Sequence, residues 1–153
     1  MEESIIDESK NLHRNLRFLQ KEVFNKFVEY ATANLPPDLS AVEHRLMMYV
    51  GDHEGCLSVD IAAAMYLKKS TISGMVNSLV EKGFISLRKS GEDKRKLPIH
   101  LTEKGNEAYE VAKRKFEVFD KQLESGLSEE DIKTLYRICR VIERNVKEVR
   151  DGD

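Results

Sequence analysis

The sequence has little of what stabilises secreted or membrane proteins. It contains two cysteines, three prolines and no tryptophan in 153 residues. No apolar run approaches the roughly 18 residues of a membrane span, and the acidic start "MEESIIDESK" is unlike the basic and then apolar start of a secretory signal. Two distant cysteines without Cys-x-x-Cys spacing suit a reducing compartment. We therefore expect a cytoplasmic protein with no membrane partner.

Motifs for catalysis or metal binding are also missing. We find no P-loop, no Gly-x-Ser-x-Gly and no paired catalytic carboxylates with a supporting motif. The run Asp52-His53-Glu54 lies in a predicted turn, where polar residues are ordinary, and the histidines lack the spacing of zinc ligands. Cys56 and Cys139 lie beside apolar positions, so both are expected to be packed thiols rather than redox sensors. We expect no enzyme, no metal site and no cofactor.

Acidic residues are scarce in one stretch of a chain that is otherwise acidic. The whole chain has a net charge of −2. From Lys68 to Lys96 it carries eight basic and three acidic residues, a local charge of +5 that leaves −7 for the rest. The binding of a polyanion depends on the local charge of the surface that it contacts more than on the net charge of the protein. The sequence therefore predicts one basic face on an acidic body.

The apolar residues of the sequence recur with the periodicity of helices. Its length predicts one domain. Apolar residues recur every three or four positions over the first thirty residues, and Pro36 and Pro37 end that helix. Ser40 and Glu43 predict a capping box for a second amphipathic helix up to Gly51, and "GDHEG" is a predicted turn.

Two short helices joined by a tight turn form the centre of the chain. Ser58 is the predicted cap of the first, and the second runs through "STISGMVNSLVEK" to Gly83. Apolar residues of the first helix can face those of the second across a turn at Leu67, as in a helix-turn-helix. The apolar residues that face each other are Ile61, Ala62, Met65, Ile72, Met75 and Val76.

The outward face of the second helix carries donors and small residues, with no carboxylate before Glu81. Surface helices usually mix charges of both signs, so this face favours contact with the major groove of DNA over a solvated surface. Hydroxyl and amide groups would reach base edges, and lysines would reach phosphates. The predicted contacts are Lys68, Lys69, Ser70, Thr71, Ser73, Gly74, Asn77 and Ser78.

A β-hairpin follows this helix directly. Phe84, Ile85 and Leu87 belong to its first strand, and alternation of Leu97, Ile99 and Leu101 with polar neighbours predicts the second. Its tip, "KSGEDKRK", projects cations toward the same side as the helix face. The hairpin residues predicted to contact DNA are Arg88, Lys89, Asp93, Lys94, Arg95 and Lys96.

Arg95 is the residue expected to enter the minor groove, which is narrow and negative enough to favour arginine. Asp93, two residues earlier, can hold its guanidinium in a bidentate pair. An ordinary surface ion pair is the alternative for these two residues, worth only about 0 to 1 kcal/mol.

Two long helices complete the chain. Thr102 is the predicted cap of the first, which stops at Gly126, and Ser128 with Asp131 caps the last. A winged domain is too small to cover the apolar stripes of the first and last helices, so two chains are expected to cover them in a homodimer. The dimerisation residues are Leu12, Leu16, Leu19, Val23, Leu135, Ile138, Ile142 and Val146.

The segment from Ser70 to Gly105 resembles the winged helix-turn-helix of MarR-type transcription regulators. The matching pieces are Thr71-Ile72-Ser73, Glu81-Lys82-Gly83, Asp93-x-Arg95 and Leu101-Thr102-x-x-Gly105. Gly74 stands where that family frequently has arginine or another long polar residue. The resemblance implies an obligate homodimer joined through its terminal helices, a pseudo-palindromic operator and, often, release by a small aromatic or hydrophobic effector.

The fold class predicted is mainly α, a winged helix-turn-helix with long N- and C-terminal dimerisation helices and a two-stranded β wing. Residues 1–35 form the N-terminal dimerisation helix, 36–101 the DNA-binding region and 102–153 the C-terminal dimerisation helices. The function predicted is a regulator, and specifically a repressor, that binds double-stranded DNA. The alternative is a winged-helix interaction module that binds protein or RNA.

Overall fold

The computed structural model describes residues 4–89, 93 and 95–150, and it has the predicted mainly helical winged fold. It divides into two compact units, the first ending at Glu117 and the second beginning at Val118. No helix in these residues is long and apolar enough to span a bilayer. The elements are α1 (Leu12–Asn34), α2 (Ala41–Asp52), α3 (Ser58–Met65), α4 (Lys69–Glu81), β1 (Ile85–Leu87), β2 (Ile99–Leu101), α5 (Glu103–Leu123) and α6 (Glu129–Glu148).

The core of the first unit lies where α2, α3 and α4 meet the hairpin. Ile61 of α3 and Ile72 of α4 are fully buried, and Met65 and Met75 pack against the same cluster. The contact predicted across the helix-turn-helix is therefore present. The largest fully buried side chains are Leu46, Met47, Val50, Ile61, Ile72, Leu79, Ile85 and Ile99.

Two of the predicted helix caps form as expected. Ser40 Oγ accepts the N–H of Glu43 at 3.1 Å, and the Glu43 carboxylate accepts the N–H of Ser40 at 2.9 Å. Ser128 and Asp131 repeat this arrangement at the start of α6. Reciprocal caps satisfy amide groups that the first turn of a helix leaves unpaired, so they determine where α2 and α6 begin.

Two predicted boundaries are wrong. α2 continues through Gly51 to Asp52, whose carboxylate accepts a hydrogen bond from the Tyr109 hydroxyl at 2.6 Å, so the turn begins only at His53. Ser58 is the first residue of α3 rather than its cap. Leu57 takes the cap position, because its N–H donates to Asp60 at 2.8 Å.

The hairpin is antiparallel, with Ile85 opposite Leu101 and Leu87 opposite Ile99. Each strand has only three residues, and Leu97 lies outside β2 with an exposed side chain, contrary to the predicted alternation. Cys56 extends the sheet, since Ile99 N–H donates to its carbonyl at 2.9 Å. Most of the predicted tip, residues 90–92 and 94, lies outside the described residues.

The two cysteines differ in their surroundings. Cys56 is buried as expected, and burial, with the nearby carboxylates of Asp60 and Glu54, raises the pKa of its thiol to about 11. A thiol with that pKa stays protonated at neutral pH and is a poor nucleophile. Cys139 is exposed, so the prediction that it is packed is wrong for the single chain: no residue of α6 is buried.

A junction between α4, β1 and α5 explains the motif Leu101-Thr102-x-x-Gly105. The Thr102 hydroxyl donates to the Gly83 carbonyl at 2.6 Å and accepts the N–H of Gly105 at 3.0 Å. Gly83 has a φ of +81°, which a glycine adopts without strain. A Cβ on Gly105 would collide with the carbonyl oxygen of Phe84. One hydroxyl therefore caps α5 and anchors it to the end of α4.

Thr102→Val should destabilise the protein by about 1 to 3 kcal/mol, because it keeps the shape of the side chain while removing both hydrogen bonds. Urea unfolding at fixed protein concentration measures the loss. Thr102→Ser retains the hydroxyl and is the matched control, expected to be closer to the original chain. A valine variant as stable as the serine variant would contradict this role.

Candidate nucleic-acid interface

The outward face of α4 is as polar as the sequence predicts. Lys68 precedes the helix as its N-cap residue, and the first turn contains no acidic residue. Apart from the adjoining residues and the helix's own backbone, no atom of the described residues lies within 4 Å of the place where a Cβ on Gly74 would stand, so the helix backbone is open there. The predicted contact residues that are exposed are Lys68, Lys69, Ser70, Thr71, Ser73, Gly74 and Asn77.

A buried carboxylate from α2 holds this helix in place. Glu43 Oε1 accepts a hydrogen bond from Ser78 Oγ at 2.8 Å, and Lys82 Nζ lies 3.3 Å from Oε2. Oε2 also accepts the N–H of Ser40 from the capping box. Glu43 thus connects the start of α2 to two successive turns of α4.

The pKa of Glu43 reflects this balance of burial and hydrogen bonding. Burial on its own raises the pKa of the carboxyl. The hydrogen bonds from Ser40, Ser78 and Lys82, together with the lysine charge, outweigh burial and place the pKa below its usual range. Glu43 is therefore ionised at neutral pH, and its charge is neutralised by a partner inside the fold.

Ser78 is the one predicted contact on α4 that faces partly inward. Its side chain is half-buried, and its hydroxyl donates to Glu43. Sequence reasoning placed Glu43 in a capping box but did not detect this second role. The available signal was a carboxylate followed, on another helix, by a serine and a lysine four residues apart, which is too common a pattern to be specific.

The end of α4 is attached to the hairpin and to α5 by Lys104. Its ammonium group donates to the carbonyl of Lys82 at 2.8 Å and lies 4.3 Å from the centre of the Phe84 ring. A cation at this carbonyl suits the partial negative charge at the end of a helix. The orientation of α4 relative to the wing is set by this contact together with the Thr102 junction.

The described part of the wing presents exposed cations. Arg88, Lys89 and Lys96 are exposed, and the Arg95 side chain is 93% exposed. Arg95 Nε lies 3.4 Å from Asp93 Oδ1, an oxygen that also accepts the N–H of Arg95 at 3.1 Å. The contact therefore uses one guanidinium nitrogen, not the two of the predicted bidentate pair. Lys94 lies outside the described residues.

The polar residues at the end of α2 and in the turn after it make structural contacts. Asp52 accepts the hydrogen bond from Tyr109, and the His53 ring stacks on Tyr49 with centroids 4.2 Å apart. Glu54 lies 2.9 Å from His100 Nδ1 and holds β2 against the loop. Within the part of the chain that the structure describes, no three His, Cys, Asp or Glu side chains are grouped to hold a metal ion.

Comparisons with known proteins show what this chain is similar to. A sequence model of the MarR family matches residues 38–96. The HTH-type transcriptional regulator BilQ of Clostridium symbiosum is 33% identical over 94 residues, which cover 61% of this chain and 65% of BilQ, just under two thirds of its length.

Solved structures share the fold over nearly the whole chain. A MarR/EmrR family transcriptional regulator from Acinetobacter sp. ADP1 superimposes with a TM-score of 0.82 at 25% identity, covering 94% of this chain and 100% of that one. The MepR–DNA complex of S. aureus superimposes with a TM-score of 0.76 at 20% identity, covering 92% of this chain and 99% of that one. At 20% identity, the likeness to the MepR–DNA complex shows a shared fold and nothing further.

Glu43→Gln should lower the free energy of unfolding by about 1 to 3 kcal/mol at pH 7, because charge-assisted hydrogen bonds to Ser78 and Lys82 are lost. The folded pKa of Glu43 is lowered, so its contribution is complete above the unfolded value of about 4.5 and is lost as pH falls through the folded pKa. The difference between the two proteins should therefore be constant from pH 7 to about 5 and shrink below it.

Urea unfolding at several pH values measures this difference. Glu22→Gln changes the same functional group at an exposed position of α1 and is the control, expected to differ little from the original chain at any pH. If the difference in free energy of unfolding between Glu43→Gln and the original chain did not shrink in acid, the substitution would be disturbing packing rather than charge.

Proposed function

We propose that the chain belongs to the MarR family and that it regulates transcription as a homodimer bound to a pseudo-palindromic operator, most simply as a repressor. The exposed face of α4, which has no acidic residue before Glu81 and is held by Glu43, carries the proposal. Regulators of this family are not enzymes, in agreement with the prediction from the sequence.

In this proposal α4 lies in the major groove. Ser70, Thr71, Ser73 and Asn77 carry the hydroxyl and amide groups that recognise base edges, while Lys68 and Lys69 neutralise phosphates. Gly74 leaves the helix backbone uncovered at the middle of this face, which permits a closer approach to the groove floor than a long side chain would. Ser78 contributes by orienting the helix through Glu43 rather than by reaching a base.

The wing contacts the adjoining minor groove and its phosphates. Arg95 enters the groove, with Asp93 restricting its side chain through the single Nε contact and the backbone hydrogen bond. An arginine side chain that is 93% exposed in the free protein is available for this role. Arg88, Lys89, Lys94 and Lys96 bind phosphates.

Dimerisation rests on an exposed apolar stripe in each unit. In the first unit Leu12, Leu16, Leu19 and Val23 recur along α1, and Leu12 is 61% exposed. In the second unit the stripe of α6 is Leu135, Ile138, Ile142 and Val146, with Val146 64% exposed. Each aliphatic side chain gains roughly 1.5 to 3 kcal/mol on full burial, so a second copy that covers both stripes stabilises the pair.

In this organisation residues 1–35 and 102–153 form the dimerisation helices and 36–101 the DNA-binding region. Response to a small aromatic or hydrophobic effector is a further part of the proposal, supported by the resemblance to the MarR family alone. An effector relieves DNA binding only through its difference in affinity for the two states of the protein, typically about 1 to 3 kcal/mol of coupling.

Selection of bound duplexes from random DNA tests the proposed function directly. A palindrome is expected, with half-sites about one helical turn, roughly 34 to 36 Å, apart. The same sequence prepared as an RNA duplex should not compete. Recovery of unsymmetrical sites, or equal binding of the RNA, would favour the alternative interaction module.

Arg95→Ala should weaken binding to the selected operator by roughly 1 to 3 kcal/mol and reduce discrimination against a scrambled duplex. Lys96→Ala should weaken binding to both duplexes by a similar, smaller amount, because a phosphate contact is independent of sequence. Titration of both variants against both duplexes makes the comparison. Equal losses on the two duplexes for Arg95→Ala would reduce Arg95 to a phosphate contact.

Replacing Leu135 and Ile142 together by Glu should split or unfold the dimer, since it places unpaired charges in an apolar contact. The control is Arg137→Gln with Arg144→Gln, which has the same spacing and the same change in net charge on the opposite face of α6. Light scattering at micromolar concentration measures the assembly. A monomeric original chain, or a folded monomeric variant with full operator affinity, would contradict the proposal.

A further inference from the structure

Tyr66, between α3 and α4, has a backbone conformation that its residue type disfavours. Its φ of 53° and ψ of 40° lie in the left-handed region, and among the described residues it is the one non-glycine with a positive φ. An L-residue with a Cβ is disfavoured there, whereas glycine adopts this conformation freely. The turn itself is required, because the N–H groups of Tyr66 and Leu67 close the end of α3 on Ala63 and Ala62.

Contacts within the chain do not account for a tyrosine at this position. The residue is 93% exposed, and in the described part of the chain its hydroxyl makes no hydrogen bond. The Cβ of Tyr66 therefore strains the backbone, and the ring gains no packing in return. Strain of this kind is concentrated at functional sites, where a side chain serves a partner outside the fold.

The position of Tyr66 indicates which partner. It stands three residues before Lys69, the first residue of α4, so the two Cα atoms are at most about 11 Å apart. Lys68, Lys69 and Ser70 beside it are exposed, and no acidic residue lies in the first turn of the helix. In a helix-turn-helix the first helix crosses the DNA backbone and the second enters the major groove, so the turn between them meets the edge of the groove.

We infer that Tyr66 donates a hydrogen bond from its hydroxyl to a phosphate of the bound DNA, and so positions the N-terminus of α4 at the major groove. This inference rests on the proposed function. Tyrosine is one of the uncharged side chains that contact phosphates, and its two side-chain torsions lose little freedom on binding. A phosphate hydrogen bond holds the protein in register without recognising a base.

The test compares Tyr66→Phe and Tyr66→Gly with the original chain on the selected operator and on a scrambled duplex. Tyr66→Phe, which lacks only the hydroxyl, should bind both duplexes about tenfold more weakly. Its dependence of log Kd on log salt concentration should be unchanged, because no charge is removed. Tyr66→Gly should bind at least as weakly, yet keep its thermal midpoint or raise it by up to about 4 °C, since the strain is relieved.

The outcomes separate this inference from the proposed function. If the original chain binds no duplex selectively, the proposed function fails and the inference fails with it. If the original chain binds its operator and Tyr66→Phe binds equally well, the inference alone is overturned. A loss confined to the operator would assign Tyr66 to a base rather than a phosphate, and would also overturn it.

Discussion

The ion pair and hydrogen bonds of Glu43 are the interaction on which the proposed interface depends. The carboxylate caps α2, accepts the Ser78 hydroxyl and faces the Lys82 ammonium group. A buried charge with three partners is stabilising only while all three are present, because an unpaired carboxylate in the interior is costly. The orientation of α4 is therefore coupled to the position of α2. Any displacement of α2 would change the position of the outward face of α4.

A second set of contacts relates α4 to the wing. The Thr102 hydroxyl, the close approach of Gly105 to Phe84 and the Lys104 contact all converge on the end of α4 and the start of β1. The end of α4, the start of β1 and the start of α5 are consequently joined by direct contacts. A recognition surface that is rigid before binding loses less conformational entropy when it meets DNA, which favours affinity and register.

In the single chain, the groups that the proposal assigns to partners are exposed. Apolar stripes on α1 and α6 are exposed, the Arg95 guanidinium is almost fully exposed, and Tyr66 has a strained backbone under an uncovered ring. A well-packed domain seldom retains such features without a use. The interior, by contrast, is mostly apolar, and the capping boxes of α2 and α6 are complete.

The sequence by itself determined the element order, the capping boxes at Ser40 and Ser128, the junction motif and the basic face of α4. These features depend on residues within a few positions of one another, and helical periodicity and caps act over that range. Only the tertiary structure decided that Glu43 pairs with Ser78, 35 residues away, that Cys139 and Leu97 are exposed, and that Tyr66 takes the left-handed turn. Such outcomes depend on which helices pack together, and no local pattern specifies the partner of a side chain that crosses from one helix to another.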